Sequence, residues 1–88
     1  MNTEVTKTIK RLIENAVISA FSLKQPRKTA FEYCNVEYIV EVTREKYTTT
    51  SVNILMLSEN NRWVSIATNT VNYDYAPQYV VNVLTNNK

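Results

Sequence analysis

A change of hydrophobic period at Pro26 is the feature that most narrows the folds open to this chain. Before it, Val5, Ile9, Leu12, Ile13, Ala16, Val17 and Ala20 recur at helical spacing, with Lys7, Arg11 and Glu14 on the opposite face. From Thr29 onward the period is two. Cys34, Val36, Tyr38, Val40 and Val42 alternate with Asn35, Glu37, Ile39, Glu41 and Thr43, as in a strand with one buried and one wet face. An amphipathic helix followed by half-buried strands is the pattern of a single α+β domain spanning residues 1–88.

The punctuation between these segments fixes the expected elements. Thr3 is suited to cap the helix, with Glu4 in its first turn, and Pro26 ends it because the residue before a proline avoids helical dihedrals. Phe31 and Tyr33 fall on the parity opposite to Cys34, which predicts a bulge near Cys34–Asn35 and a buried, inert thiol at Cys34. Arg44–Tyr47 reads as a hairpin connection. A second strand, 48–58, places Val52, Ile54 and Met56 on one face and Leu55 and Leu57 on the other. Glu59-Asn60-Asn61-Arg62 is a turn, since Asn tolerates the left-handed conformation, and a third strand runs from Trp63 to Asn72. The segment 76–87 is expected to form a short helix opening at Pro77, with a fourth strand as the alternative, given its valines. The fold expected is thus an N-terminal amphipathic helix packed on a three-stranded antiparallel meander, completed by a short C-terminal helix or a fourth strand.

Two absences restrict the chemistry. The chain has no glycine, which excludes the glycine-dependent phosphate loops, and no histidine, which excludes Ser-His-Asp and Cys-His catalysis and His-ligated metals. One cysteine builds neither an internal disulfide nor a zinc cluster. A non-enzymatic role without metal or cofactor is therefore the expectation. Glu37 and Glu41 share a strand face, and an exposed sheet surface accounts for them without a catalytic cleft. No stretch has the length and apolarity of a membrane span or signal peptide, and with the lone thiol this points to a cytoplasmic protein.

The order α-β-β-β-α is shared with double-stranded-RNA-binding domains. However, the position of their phosphate-gripping signature reads Asp74-Tyr75-Ala76-Pro77-Gln78, without lysine, arginine or glycine, so the likeness is limited to element order. Three candidate surfaces remain. Tyr73, Tyr75 and Tyr79, with Trp63 and Tyr47 near hairpin ends, are residue types that anchor protein interfaces. Lys7, Lys10, Arg11, Lys24, Arg27 and Lys28 stand against only Glu4 and Glu14, so residues 1–28 carry +4, whereas residues 29–88 carry −2; this basic set could contact nucleic acid. Leu55 and Leu57, if left uncovered, would favour a homodimer or larger homo-oligomer.

The leading expectation is a small protein-binding module of unknown partner, acting stoichiometrically through the tyrosines and Trp63. A nucleic-acid-binding regulator and a structural homo-oligomer are the alternatives. The abundance of Asn, Thr, Lys, Ile and Tyr resembles small accessory proteins of AT-rich bacteria or their phages. That resemblance implies an inhibitor that occludes a host or defence protein.

Overall fold

The helical stripe and the alternating strands meet in one core. The computed structural model describes residues 3–86. They form helix α1 (Thr3–Leu23), strands β1 (Arg27–Tyr33), β2 (Val36–Arg44), β3 (Thr49–Leu57) and β4 (Trp63–Asn72), and helix α2 (Ala76–Asn86). The strands make an antiparallel meander in the order β1-β2-β3-β4. Ile9, Ile13, Ala16, Val17 and Ala20 of α1 and Ala76, Val80, Val81 and Leu84 of α2 are buried with Tyr38, Val40, Val42, Val52 and Ile54 of the sheet. α1 lies over β1 and β2, α2 lies beside it towards β3 and β4, and both occupy the same sheet face. The result is two layers, 18 Å through the thinnest axis.

The expected architecture is observed, with both the C-terminal helix and a fourth strand present. The additional strand arises at the front of the sheet. The parity change expected to be a bulge at Cys34–Asn35 is instead a hairpin turn: Tyr33 pairs with Val36, and the two residues between them have φ of 52° and 65°. Two consecutive left-handed residues are the mark of a type I′ turn, whose twist matches that of the flanking strands. The reversal also removes Cys34 from the alternation. Its free thiol is exposed at the turn and not buried, which corrects the expectation of an inert core cysteine.

With no glycine available, residues bearing a β-carbon adopt the left-handed positions among the described residues: Lys24, Cys34, Asn35 and Asn61. Lys24 closes α1, which stops at Leu23, ahead of Pro26. Asn61 follows a turn in which the Ser58 carbonyl accepts from the Asn61 N–H (3.0 Å), and the Ser58 N–H donates to the Arg62 carbonyl (2.8 Å). The Ser58 hydroxyl accepts from the Asn60 and Arg62 N–H groups, 3.3 Å each. At the other end of the sheet the buried Thr50 hydroxyl is satisfied by the Thr43 carbonyl at 2.9 Å. Thr3, expected as the cap, is itself the first helical residue of α1, and the expected extension of α2 to residue 87 lies outside the described residues.

Two outcomes test this description. Replacing Cys34-Asn35 by Asn-Gly, the favoured type I′ pair, should stabilise the chain by about 1 kcal/mol, read as a higher urea midpoint at unchanged m. Ile54→Ala, at a site with no solvent exposure between sheet and helices, should cost about 2–5 kcal/mol in the same assay.

Candidate functional site

Because both helices lie on one side, the opposite sheet face is open among the described residues, and the registers order its side chains into rows. Glu32, Glu37, Leu57 and Trp63 form the row nearest the two tight hairpin turns; Ala30, Ile39, Leu55 and Ser65 form the next. Lys28, Glu41, Asn53 and Thr68 follow, and Thr43, Ser51 and Thr70 close the face. The face therefore divides in two. Its far half is polar: there the Asn53 Oδ1 accepts from the Ser65 Oγ of the neighbouring row at 2.7 Å and from the Thr68 Oγ1 at 2.8 Å. Its near half is apolar, with Ile39, Leu55, Leu57 and Trp63 contiguous across β2, β3 and β4.

Trp63 reaches this patch because of a β-bulge. The β3–β4 register shifts between Ile54 and Leu55, whose partners are Ala67 and Ser65, leaving Ile66 as the extra residue. An uninterrupted ladder would put Trp63 on the same face as Ala67, towards the helices. The one-residue shift turns Trp63 to the open face opposite Leu57, where its side chain is 42% exposed. Trp63 and Ile39 then line a groove of about 330 Å³ with Ala30, Glu32 and Glu37. Carboxylates fence the patch. Glu32 and Glu37 are directly opposed across β1 and β2, Glu59 joins them beside Leu57, and Glu41 stands one row further along. Like charges directly opposed across strands destabilise a sheet, so this rim is not explained by fold stability.

The structure thus unites Trp63 with Leu55 and Leu57, which the sequence had assigned to separate surfaces. α2, the element that could have covered those leucines, packs on the other face. The remaining aromatic candidates lie elsewhere. Tyr73 stands at the end of β4 with its ring 5.5 Å from that of Phe21, and the Tyr75 and Tyr79 rings are 6.4 Å apart. The Tyr75 hydroxyl accepts from the Asn82 Nδ2 at 3.0 Å. Tyr47 projects from the β2–β3 loop, which is tied to the same end by the Tyr73 N–H donating to the Thr48 carbonyl at 2.8 Å.

The basic set is divided as well. Lys7 and Arg11 lie exposed on α1 about 20–26 Å from Lys24, at 1.5 Å per helical residue, with Lys10 half-buried between them. Lys24 and Arg27 gather at the far end with Arg44 and Lys46, two cations the sequence had left in a hairpin connection. Lys28 points to the open face beside Glu41. Locating the joint apolar patch required the bulge, and the alternation of β2 and β3 alone signalled only Ile39, Leu55 and Leu57.

Two phenols near the β1–β2 turn are perturbed. Burial above all, and then the charge of Cys34, push Tyr33 and Tyr38 above the ordinary 10.0; a hydrogen bond with Cys34 adds to the effect at Tyr33, and the Tyr33 phenol to that at Tyr38. Among the described residues no group of three or more His, Cys, Asp or Glu could hold a metal, and no helix is long and apolar enough to cross a membrane. No family model matches the chain, and neither a curated protein nor a solved structure matches it.

A phenol held above its unfolded value favours the folded state while protonated. Its contribution is complete below about pH 10 and is lost as pH rises through the raised folded value. Urea midpoints should therefore be level from neutrality to about pH 10 and fall above it, with a shallower fall in Tyr38→Phe.

Proposed function

We propose that this chain is a small non-enzymatic protein-binding module whose contact surface is the near half of the open sheet face. The observation that carries the reading is the contiguous patch Ile39–Leu55–Leu57–Trp63, uncovered by either helix and rimmed by Glu32, Glu37, Glu41 and Glu59. Trp is an anchor residue of interfaces, and the groove beside it has room for one apolar side chain of a partner. The rim sets the partner's chemistry: an apolar knob flanked by lysines or arginines. A second copy docked face to face would bring carboxylates near carboxylates, which favours a foreign basic partner over a homodimer. Such a module acts by stoichiometric occlusion of the surface it covers, the mode of an inhibitor of a host or defence protein.

Affinity capture from a lysate of the source organism, with nuclease present, tests the reading. The wild-type chain should retain a basic protein at a fixed stoichiometry. Trp63→Ala and Leu55→Lys should each weaken retention at least tenfold, an interface-anchor effect of about 2 kcal/mol. Glu37→Gln should separate function from stability: relieving the opposed pair should raise the urea midpoint slightly, by about 0.2–1 kcal/mol, while weakening capture. Loss of capture on Tyr75→Ala and Tyr79→Ala, with Trp63→Ala silent, would place the interface at the tyrosine corner instead. A dimer mass in light scattering that Leu55→Lys abolishes would assign the face to self-association.

A further inference from the structure

We propose that the end of the molecule opposite the two tight hairpin turns binds single-stranded nucleic acid, with cations on the phosphates and Tyr47 stacked on a base. The site is independent of the open-face patch. A cleft of about 360 Å³ lies between the α1–β1 connection and the β2–β3 loop, lined by Lys24, Gln25, Pro26, Arg44, Lys46 and Tyr47 among others. Its volume suits one base with its phosphate, at the small end of ligand sites. Glu45 is the one acidic residue in the lining.

The parts are held in place before any ligand arrives. The Arg44 guanidinium carbon sits 5.4 Å from the centre of the Phe21 ring, and its Nε donates to the Lys46 carbonyl at 3.3 Å. Phe21 is in turn packed on Tyr73. The loop bearing Lys46 and Tyr47 is closed by the Glu45 and Lys46 N–H groups donating to the Thr49 carbonyl, at 2.9 and 3.4 Å. At its tip the Tyr47 side chain is 87% exposed, so a large ring on an anchored loop has almost no intramolecular contact. Next along the sheet from Arg44, Arg27 carries a buried Nε without a hydrogen-bond partner. The carbonyl end of α1 offsets part of the Lys24 charge, and Arg44 and Lys46 supply the excess. An exposed aromatic platform beside grouped cations is the recurring arrangement for single strands, in which stacking tolerates any base and the backbone carries the charge. An acidic protein surface would engage the same cations, and the dependence of binding on Tyr47 stacking separates the two ligands.

The test is fluorescence anisotropy of a labelled oligothymidylate of about twelve nucleotides titrated with the full chain, with amide shifts mapped on the isotope-labelled protein. Binding is expected to shift Lys24 and the 44–48 loop. It should weaken about 18-fold between about 50 and 200 mM salt, the slope for roughly three phosphates on a single strand. Lys24→Glu with Lys46→Glu should weaken it at least tenfold and flatten the salt slope. Tyr47→Ala should cost about tenfold and Tyr47→Phe almost nothing, as stacking requires. Trp63→Ala and Leu55→Lys should leave it unchanged, which keeps this site distinguishable from the docking face. The proposal is overturned by no binding at high micromolar protein, or by shifts confined to Lys7, Lys10 and Arg11. It is equally overturned if polyglutamate competes as well as the oligonucleotide with Tyr47→Ala silent, which would mean an acidic protein partner. Equal competition by a free mononucleotide would name that ligand and not a strand.

Discussion

Everything else in this structure depends on one asymmetry: two helices bury one face of a four-stranded sheet and nothing among the described residues buries the other. On the covered side the physics is ordinary. The α1 stripe and the α2 residues Ala76, Val80, Val81 and Leu84 remove Val40, Val42, Val52 and Ile54 from water, and nearly all the side chains this core buries are apolar. On the other side the same strands must end their alternation in something water tolerates. Over half of that face they do so with polar side chains, of which Asn53, Ser65 and Thr68 are bonded to one another. Over the rest they present Ile39, Leu55, Leu57 and Trp63, a composition that costs free energy when exposed and that the fold does not require.

The absence of glycine shapes how the sheet is closed. Tight hairpins need left-handed residues, and here Cys34, Asn35 and Asn61 adopt them at some conformational cost. Asn is the least costly substitute because its short polar side chain tolerates that region. Cys34, like Lys24, has no such side chain and takes the left-handed conformation without that relief. The bulge at Ile66 is a second local device with a distant effect, since a single extra residue decides whether Trp63 belongs to the core or to the outer surface.

The sequence was most legible where one period ran uninterrupted. The α1 stripe, the β3 parities and the Asn60–Asn61 turn are as the spacing predicts, because burial on one face leaves a direct record in the pattern. It was least legible where the period breaks. A turn and a bulge both reverse parity, and without glycine to mark the turn, Cys34–Asn35 carried the signal of either. The same ambiguity hid Trp63, whose face is set by a shift inside a strand rich in Thr, Ser and Asn that has little alternation to read. The basic cleft was hidden for another reason. Lys24 and Lys46 are 22 positions apart in the chain, and only the meander brings them to one end.

The charges are arranged so that the two exposed surfaces do not compete. The open face carries Glu32, Glu37 and Glu41 against Lys28 alone, whereas the opposite end gathers Lys24, Arg44 and Lys46 against Glu45. Swapping a few of these residues would neutralise both regions and remove the Glu32–Glu37 repulsion without touching the core. A chain under selection for stability alone has no reason to keep like charges opposed across a strand pair while cations gather at the other end of the same strands. The separation sets two potentials of opposite sign on one sheet, the charge basis of the two proposed surfaces. Glu37 lies seven residues from Arg44 along β2, about 23 Å at 3.3 Å per residue and more than two screening lengths at ordinary salt, so the end of the patch at the opposed carboxylates feels little of the cations.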